Sequence, residues 1–255
     1  MRPVAAGTLD ARAGQGPVLE ARSLYRFFHA GDEETLALRG VSLTVAPGEL
    51  VAVVGPSGSG KSTLLACLAG LDEPDGGSVW IAGQRLSRRP EAERSALRAR
   101  LIGLLFQSGN LLDHLTVAGN VALAQRVAGP GRGRGAAARA RAAALLDALG
   151  QTGRAGAYPA ALSGGEAARA GLAVALANDP PVLLADEPTG ELDSASEQRV
   201  LGLLAGRPAG GGAVVVATHS AAVAAIADRA LHLHDGAVRD EPVRDVAVPA
   251  GVSRA

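Results

Sequence analysis

Nine consecutive residues, Gly55-Pro56-Ser57-Gly58-Ser59-Gly60-Lys61-Ser62-Thr63, combine bare backbone, hydroxyls and one cation. Glycines let a loop bend closely around a polyatomic anion because no Cβ intrudes. Successive N–H groups in such a loop form an anion nest, and a helix starting near Lys61 adds its positive end. The run satisfies the phosphate-loop pattern, and it stands after the apolar strand Glu49 to Val54 and before the helical STLLACLAGL. Lys61 would bring a full charge to the β and γ phosphates of a nucleotide, and Ser62 a hydroxyl to Mg²⁺. Lys61 is also the only lysine among 25 basic residues. A position that keeps a compact ammonium in a chain otherwise built on arginine points to work that a planar fork does poorly.

A phosphate loop needs a partner to hold the metal. Val182-Leu183-Leu184-Ala185-Asp186-Glu187 is an apolar strand ending in two carboxylates. A strand buried in a parallel sheet delivers its last residues to the carboxyl edge, where such folds bind ligands. Asp186 would reach the Mg²⁺ shell, and Glu187, one residue on, would polarise an attacking water. A third feature, Ser163-Gly164-Gly165, precedes a helix expected over residues 166–177. It presents a hydroxyl and bare N–H groups to an anion at that helix's start.

The elements that carry these groups follow from the pattern. Strand candidates VLEARSLYRFF and VSLTVAP flank a loop, HAGDEETLALRG, and SVWIAG is a further short strand. Residues from about 88 to 171 are poor in strand signals and read as a helical insertion, with a low-complexity stretch at 129–140 in which a glycine-rich loop gives way to an Ala/Arg helix to about Leu149. Alternation resumes with PVLLAD, SASEQRVLGLLAG, AVVVATHS, AAVAAIADRA and LHLHDGAV, which implies a parallel sheet with crossover helices. Residues 1–17 and 241–255 have the composition of mobile tails.

Composition excludes several classes. The 255 residues carry 25 basic and 25 acidic side chains, so there is no basic excess for a nucleic-acid binder. Aromatic residues make up 2%, too few for base-stacking platforms. One cysteine, Cys67, rules out an internal disulfide framework and a cysteine-based metal cluster, and fits a reducing, cytoplasmic compartment. The N-terminal stretch lacks the apolar core of a signal peptide, and no run of 18 apolar residues could span a bilayer. His232 and His234 share a strand face without a third ligand nearby, and the arginines at 132–141 read as a solvated face.

Phosphate loop, Leu162-Ser163-Gly164-Gly165-Glu166 and LLADEP, in this order, resemble the ATPase subunits of ABC transporters over roughly residues 18–240. GPSGSGKSTLL, LADEPTGELD and FHAGDEETLALRGVSL resemble the lipoprotein-release and macrolide-export group more narrowly. The resemblance implies a P-loop NTPase α/β fold, with a RecA-like parallel core, an antiparallel β subdomain and the inserted helical subdomain. It implies that Gln107 touches Mg²⁺ and the attacking water, and that His219 contacts the γ-phosphate. It implies that Asp193 links two sites across a dimer. It implies that Phe28 stacks on adenine, with Tyr25 the alternative. Ser163, Gly164 and Gly165 would then grip ATP held by the Lys61 loop of a second protomer. The partners implied are a homodimer or pseudo-symmetric ATPase pair and a four-span permease with a large extracytoplasmic domain, on the inner face of the membrane. The expected function is MgATP hydrolysis driving export or extraction of lipophilic or peptide-like substrates. The alternatives are a regulatory ATPase acting through a permease-like partner, or a soluble one acting on DNA or ribosomes. Ala167, Ala168, Val174, Asp113 and Gly119 depart from the family's usual residues at their positions, all within the helical subdomain or, for Val174, just past its end.

Overall fold

The computed structural model describes residues 16–30, 33–129, 135–190, 192–208 and 211–239. The two expected tails fall almost wholly outside these, as do Gly31, Asp32, Arg132, Arg134 and Glu191. The strands are β1 (Leu19–Ala30), β2 (Glu33–Val45), β3 (Leu50–Val54), β4 (Gly76–Ile81), β5 (Gln84–Arg85), β6 (Ile102–Leu105), β7 (Val182–Asp186), β8 (Ala213–Thr218), β9 (Arg229–His234) and β10 (Ala237–Arg239). The helices are α1 (Lys61–Leu68), α2 (Glu91–Leu101), α3 (Val117–Val127), α4 (Gly135–Ala148), α5 (Gly164–Leu176), α6 (Ser194–Gly206) and α7 (Ala221–Ile226).

Six strands form one sheet in the order β10-β9-β3-β8-β7-β6, and four form a second in the order β2-β1-β4-β5. In the first, β3, β6, β7, β8 and β9 run parallel, and β10 closes the edge antiparallel through a turn at Asp235-Gly236. Continuous apolar runs suit such strands because both faces are covered. Alternate residues serve opposite layers: Val51, Val53, Val182, Leu184, Val215 and Ala217 pack toward α1 and the antiparallel sheet. Leu50, Leu183, Ala185, Val214 and Val216 pack toward α3, α4, α5 and α6. Cys67 sits in the first layer, where burial pushes its thiol up to about 12 and keeps it protonated and inert at neutral pH.

Two expectations need correction. HAGDEETLALRG is not a loop: β2 starts at Glu33, and Phe28 pairs with Thr35, Phe27 with Leu36 and Arg26 with Leu38. Its acidic residues hid the strand because charged residues are depleted from strands and read as a loop. The stretch from 88 to 171 is not purely helical either. β6 lies inside it and joins the parallel sheet beside β7, with Ile102 opposite Val182 and Leu105 opposite Ala185. Four apolar residues that follow α2 without a turn give no period to read.

Candidate functional site

The register of the parallel sheet assembles the site. Val54 of β3 lies opposite Thr218 of β8, Asp186 of β7 opposite Ala217 and Leu105 of β6 opposite Ala185. The residues that follow are Gly55, His219, Glu187 and, two beyond Leu105, Gln107, so four chain segments leave the sheet at one edge. They line a cleft of about 770 Å³ together with Phe28, Pro56, Ser57, Gly58, Gly60, Lys61, Ser62, Thr63 and Asp186. Ser59 is the buried member of the loop, and its carbonyl accepts from Gly236 N at 3.0 Å. Its part is therefore to anchor the loop to the β9–β10 turn.

Close approach explains two of the loop glycines. A Cβ at Gly55 would stand 2.2 Å from the Leu233 carbonyl oxygen. At Gly60, where φ is +100°, a Cβ would stand 2.6 Å from the Ala37 carbonyl oxygen. No side chain caps α1 after Gly60, and its first turn holds no acidic residue. By contrast α3, α5, α6 and α7 start on Thr116, Ser163, Asp193 and Ser220, each of which accepts a backbone N–H of its own first turn. The positive end at Lys61 is thus left for an external anion. Lys61 Nζ donates to the carbonyls of Gly55 at 2.8 Å and Pro56 at 3.1 Å, which holds the ammonium across the loop.

Glu187 is fixed before any substrate arrives. Its φ is +45°, a left-handed conformation costly for a side chain of this kind and common at functional positions. Its N–H donates to Ala217 O at 2.9 Å. Its Oε2 accepts from Thr218 Oγ1 at 3.1 Å and from His219 N at 3.3 Å, and its Oε1 lies 2.8 Å from His219 Nδ1. The carboxylate side chain is 12% exposed and the imidazole 75%, so the acid is held inside the protein while the histidine stands in the open. The segment before Gln107 is clamped in the same way: Phe106 N donates to Asn110 Oδ1 at 2.8 Å, and Asn110 Nδ2 donates to Phe106 O at 2.6 Å.

Ser163, Gly164, Gly165 and Asp193 do not line the cleft that holds Lys61; Gly164 lines the adjoining groove, which Gln107 and Glu187 share. Ser163 caps α5 reciprocally with Glu166, accepting from Glu166 N while Glu166 Oε2 accepts from Ser163 N at 3.0 Å. The Ser163 N–H bond, then the Arg154 guanidinium, hold Glu166 below the usual carboxylate range. Asp193 caps α6 and is held low first by Ser196 N and then by the Ser196 hydroxyl. Buried Arg169 joins the two helices: it donates to Ser196 Oγ, and the Gln151 amide oxygen, oriented to satisfy both groups, accepts from its Nε at 3.0 Å.

Of the two aromatic candidates, Phe28 lines the cleft, whereas Tyr25 lies against Gly40 and Gly76 on neighbouring strands. Sequence reasoning missed Thr35, Leu36, Ala37, Arg39, Asp235 and Gly236, which complete the cleft wall. The Asp-Gly pair stands in LHLHDGAV, but nothing local says that it touches the phosphate loop. Three of the departing residues, Asp113, Ala167 and Ala168, line one groove with Gln107 and Glu187. Val174 lines another with Leu112, Leu123 and Val127, and Gly119 N donates to the Thr116 cap.

The parallel core, the phosphate loop at its switch edge and the acidic strand end define a P-loop ATPase. The chain belongs to the ABC transporter family, as its ATP-hydrolysing cassette: residues 38–190 match the family described as ABC transporter. It is 46% identical to the lipoprotein-releasing system ATP-binding protein LolD of Ruegeria pomeroyi, over 88% of this chain and 98% of that protein. It is 42% identical to the macrolide export ATP-binding/permease protein MacB of Shigella flexneri, over 89% of this chain, and spans 34% of that longer protein. Among solved structures it is similar to the dimeric, post-hydrolysis ATP-binding cassette MJ0796 bound to ADP and phosphate. The TM-score is 0.83 at 37% identity, covering 89% of this chain and 99% of that one.

Proposed function

We propose that this chain binds and hydrolyses MgATP as one of two cassettes that close around two nucleotides and drive a membrane permease. The observation that carries the reading is the split of one site between two surfaces. Lys61, Ser62, Asp186, Glu187, Gln107 and His219 share a cleft, while Ser163 and Gly164 lie outside it. A nucleotide gripped by both sets needs two copies of the chain, each giving its signature serine to the other.

Within the cleft, Phe28 takes the adenine, and the loop amides with Lys61 take the phosphates. Ser62, Asp186 and Gln107 offer hydroxyl, carboxylate and amide oxygens, the hard donors that Mg²⁺ prefers alongside water and phosphate. Bound there, Mg²⁺ would neutralise charge on the β and γ phosphate oxygens. Glu187, held by Thr218 and His219, accepts a proton from water attacking the γ-phosphorus, and His219 reaches the terminal phosphate. Positioning and charge neutralisation do most of the work in such a transfer.

LolD and MacB relatives support coupling to a permease, a peripheral place on the inner membrane face, and export or extraction of lipophilic or peptide-like substrates. No described helix is long and apolar enough to cross a membrane. Glu187→Gln keeps the shape of the side chain and removes the base. With ATP and Mg²⁺ this variant is expected to elute from size-exclusion chromatography as a stable dimer, and wild type as a monomer that turns over. A monomeric Glu187→Gln chain at saturating ATP would overturn the closed-dimer reading.

A further inference from the structure

The end of β1 is built around a cation that the reaction does not use. Pairing of β1 with β2 slips register between Arg26 and Phe27. Such an irregularity re-aims the side chains that follow it, Phe27 and then Phe28, a residue 42% exposed on the cleft. The slip is pinned from the other side. Asp75 Oδ2 accepts from Phe27 N at 2.8 Å and from Arg26 Nη1 at 3.1 Å, and Asp72 Oδ2 accepts from Arg26 Nε at 2.8 Å. Both aspartates stand in the turn that leaves α1, the helix of the phosphate loop. The Arg26 guanidinium carbon then sits 4.7 Å from the centre of the Phe28 ring.

The geometry points to Arg26 as a positioning residue that sets the Phe28 ring as a platform for the nucleotide base. This rests on the reading of Phe28 as the adenine contact. Two charge-assisted bonds fix the guanidinium, and the guanidinium covers one ring face, so the ring offers its other face in one orientation. A cation behind a ring also draws π density toward itself, which leaves the opposite face better suited to an electron-rich purine. Because Asp72 and Asp75 follow α1 directly, the element that grips the phosphates also sets the distance to the base. Arg26 therefore tunes affinity for the adenosine half of the ligand and leaves the triphosphate half alone.

The test compares ATP with inorganic tripolyphosphate, which has the anion and lacks the base. Binding of each to the full chain is measured by calorimetry for wild type, Arg26→Met, Arg26→Lys and Phe28→Ala. Arg26→Met is expected to weaken ATP binding about five- to tenfold while tripolyphosphate binding stays within about twofold. Arg26→Lys keeps the cation without the fork and should recover part of the loss; it also carries the test if Arg26→Met fails to fold. Equal losses for both ligands would reveal a general structural role and overturn the inference. So would unchanged ATP affinity in Arg26→Met while Phe28→Ala loses it, a result that leaves the Phe28 reading intact. Wild-type ATP binding by Phe28→Ala would bring down that reading and the role of Arg26 with it.

Discussion

Gly60 shows how little freedom the phosphate loop has. Its left-handed backbone and the nearness of the Ala37 carbonyl come from different parts of the chain, yet both forbid a side chain. The same carbonyl stands 2.6 Å from where a Cβ on Gly236 would lie, so β2, the loop and the terminal turn meet at one point. Gly60→Ala should therefore cost about 2 kcal/mol of stability or more, from the strained φ together with the clash. It should also abolish nucleotide binding, because relief of the clash moves the amides that face the phosphates. Denaturant unfolding and nucleotide titration of the same preparation check both, and a stable Gly60→Ala chain that binds ATP normally would contradict the packing described. Lys61 was legible from composition and spacing together. Arg26 and Arg39 were not, since an arginine on a strand carries no mark of what its guanidinium will reach.

The helices that flank the site are tied through side chains more than through apolar packing alone. Arg169 on α5 reaches Ser196 on α6 and Gln151 beyond α4, and Ser196 in turn holds the Asp193 cap. Removing the guanidinium orphans the fully buried Gln151 amide oxygen and takes one bond from the Ser196 hydroxyl, which keeps its bond to Asp193. Each orphaned buried group costs about 1–3 kcal/mol. Arg169→Met is accordingly expected to lower unfolding free energy by about 2–4 kcal/mol, read as a lower denaturant midpoint at unchanged slope. A midpoint equal to wild type would mean that the network is dispensable. The helices themselves were legible, as residues 166–177 and SASEQRVLGLLAG, whereas the caps that start them, Ser163 and Asp193, emerge in the fold and place the start of α5 at Gly164. β6 and the start of β2 were not, because a short strand butted against a helix and a charged edge strand lack the patterns that distinguish them. A helix's pattern is local, whereas a strand's place in a sheet is settled by partners distant in sequence.

At the scale of the molecule, one chain presents two incomplete halves of a site. On the proposed function, the cleft collects the groups that would hold and cut a triphosphate, and the start of α5 would offer a hydroxyl and glycine amides to an anion that its own cleft does not place there. Closure by two-fold symmetry would repeat the pairing twice, which would make ATP part of the interface and tie its hydrolysis to separation of the pair. Ser163 is the place to break this without touching nucleotide capture. Arginine there loses the helix cap, at a cost of about 1 kcal/mol, and puts a long side chain where the partner's phosphates must come. In the Glu187→Gln background, Ser163→Arg should remain a monomer at saturating ATP and bind the nucleotide as tightly as the parent does in its monomeric form. Light scattering with a fluorescent nucleotide measures both at once. Persistence of the ATP-dependent dimer would show that α5 does not face the second nucleotide, and loss of monomer binding would show that the two halves are not independent.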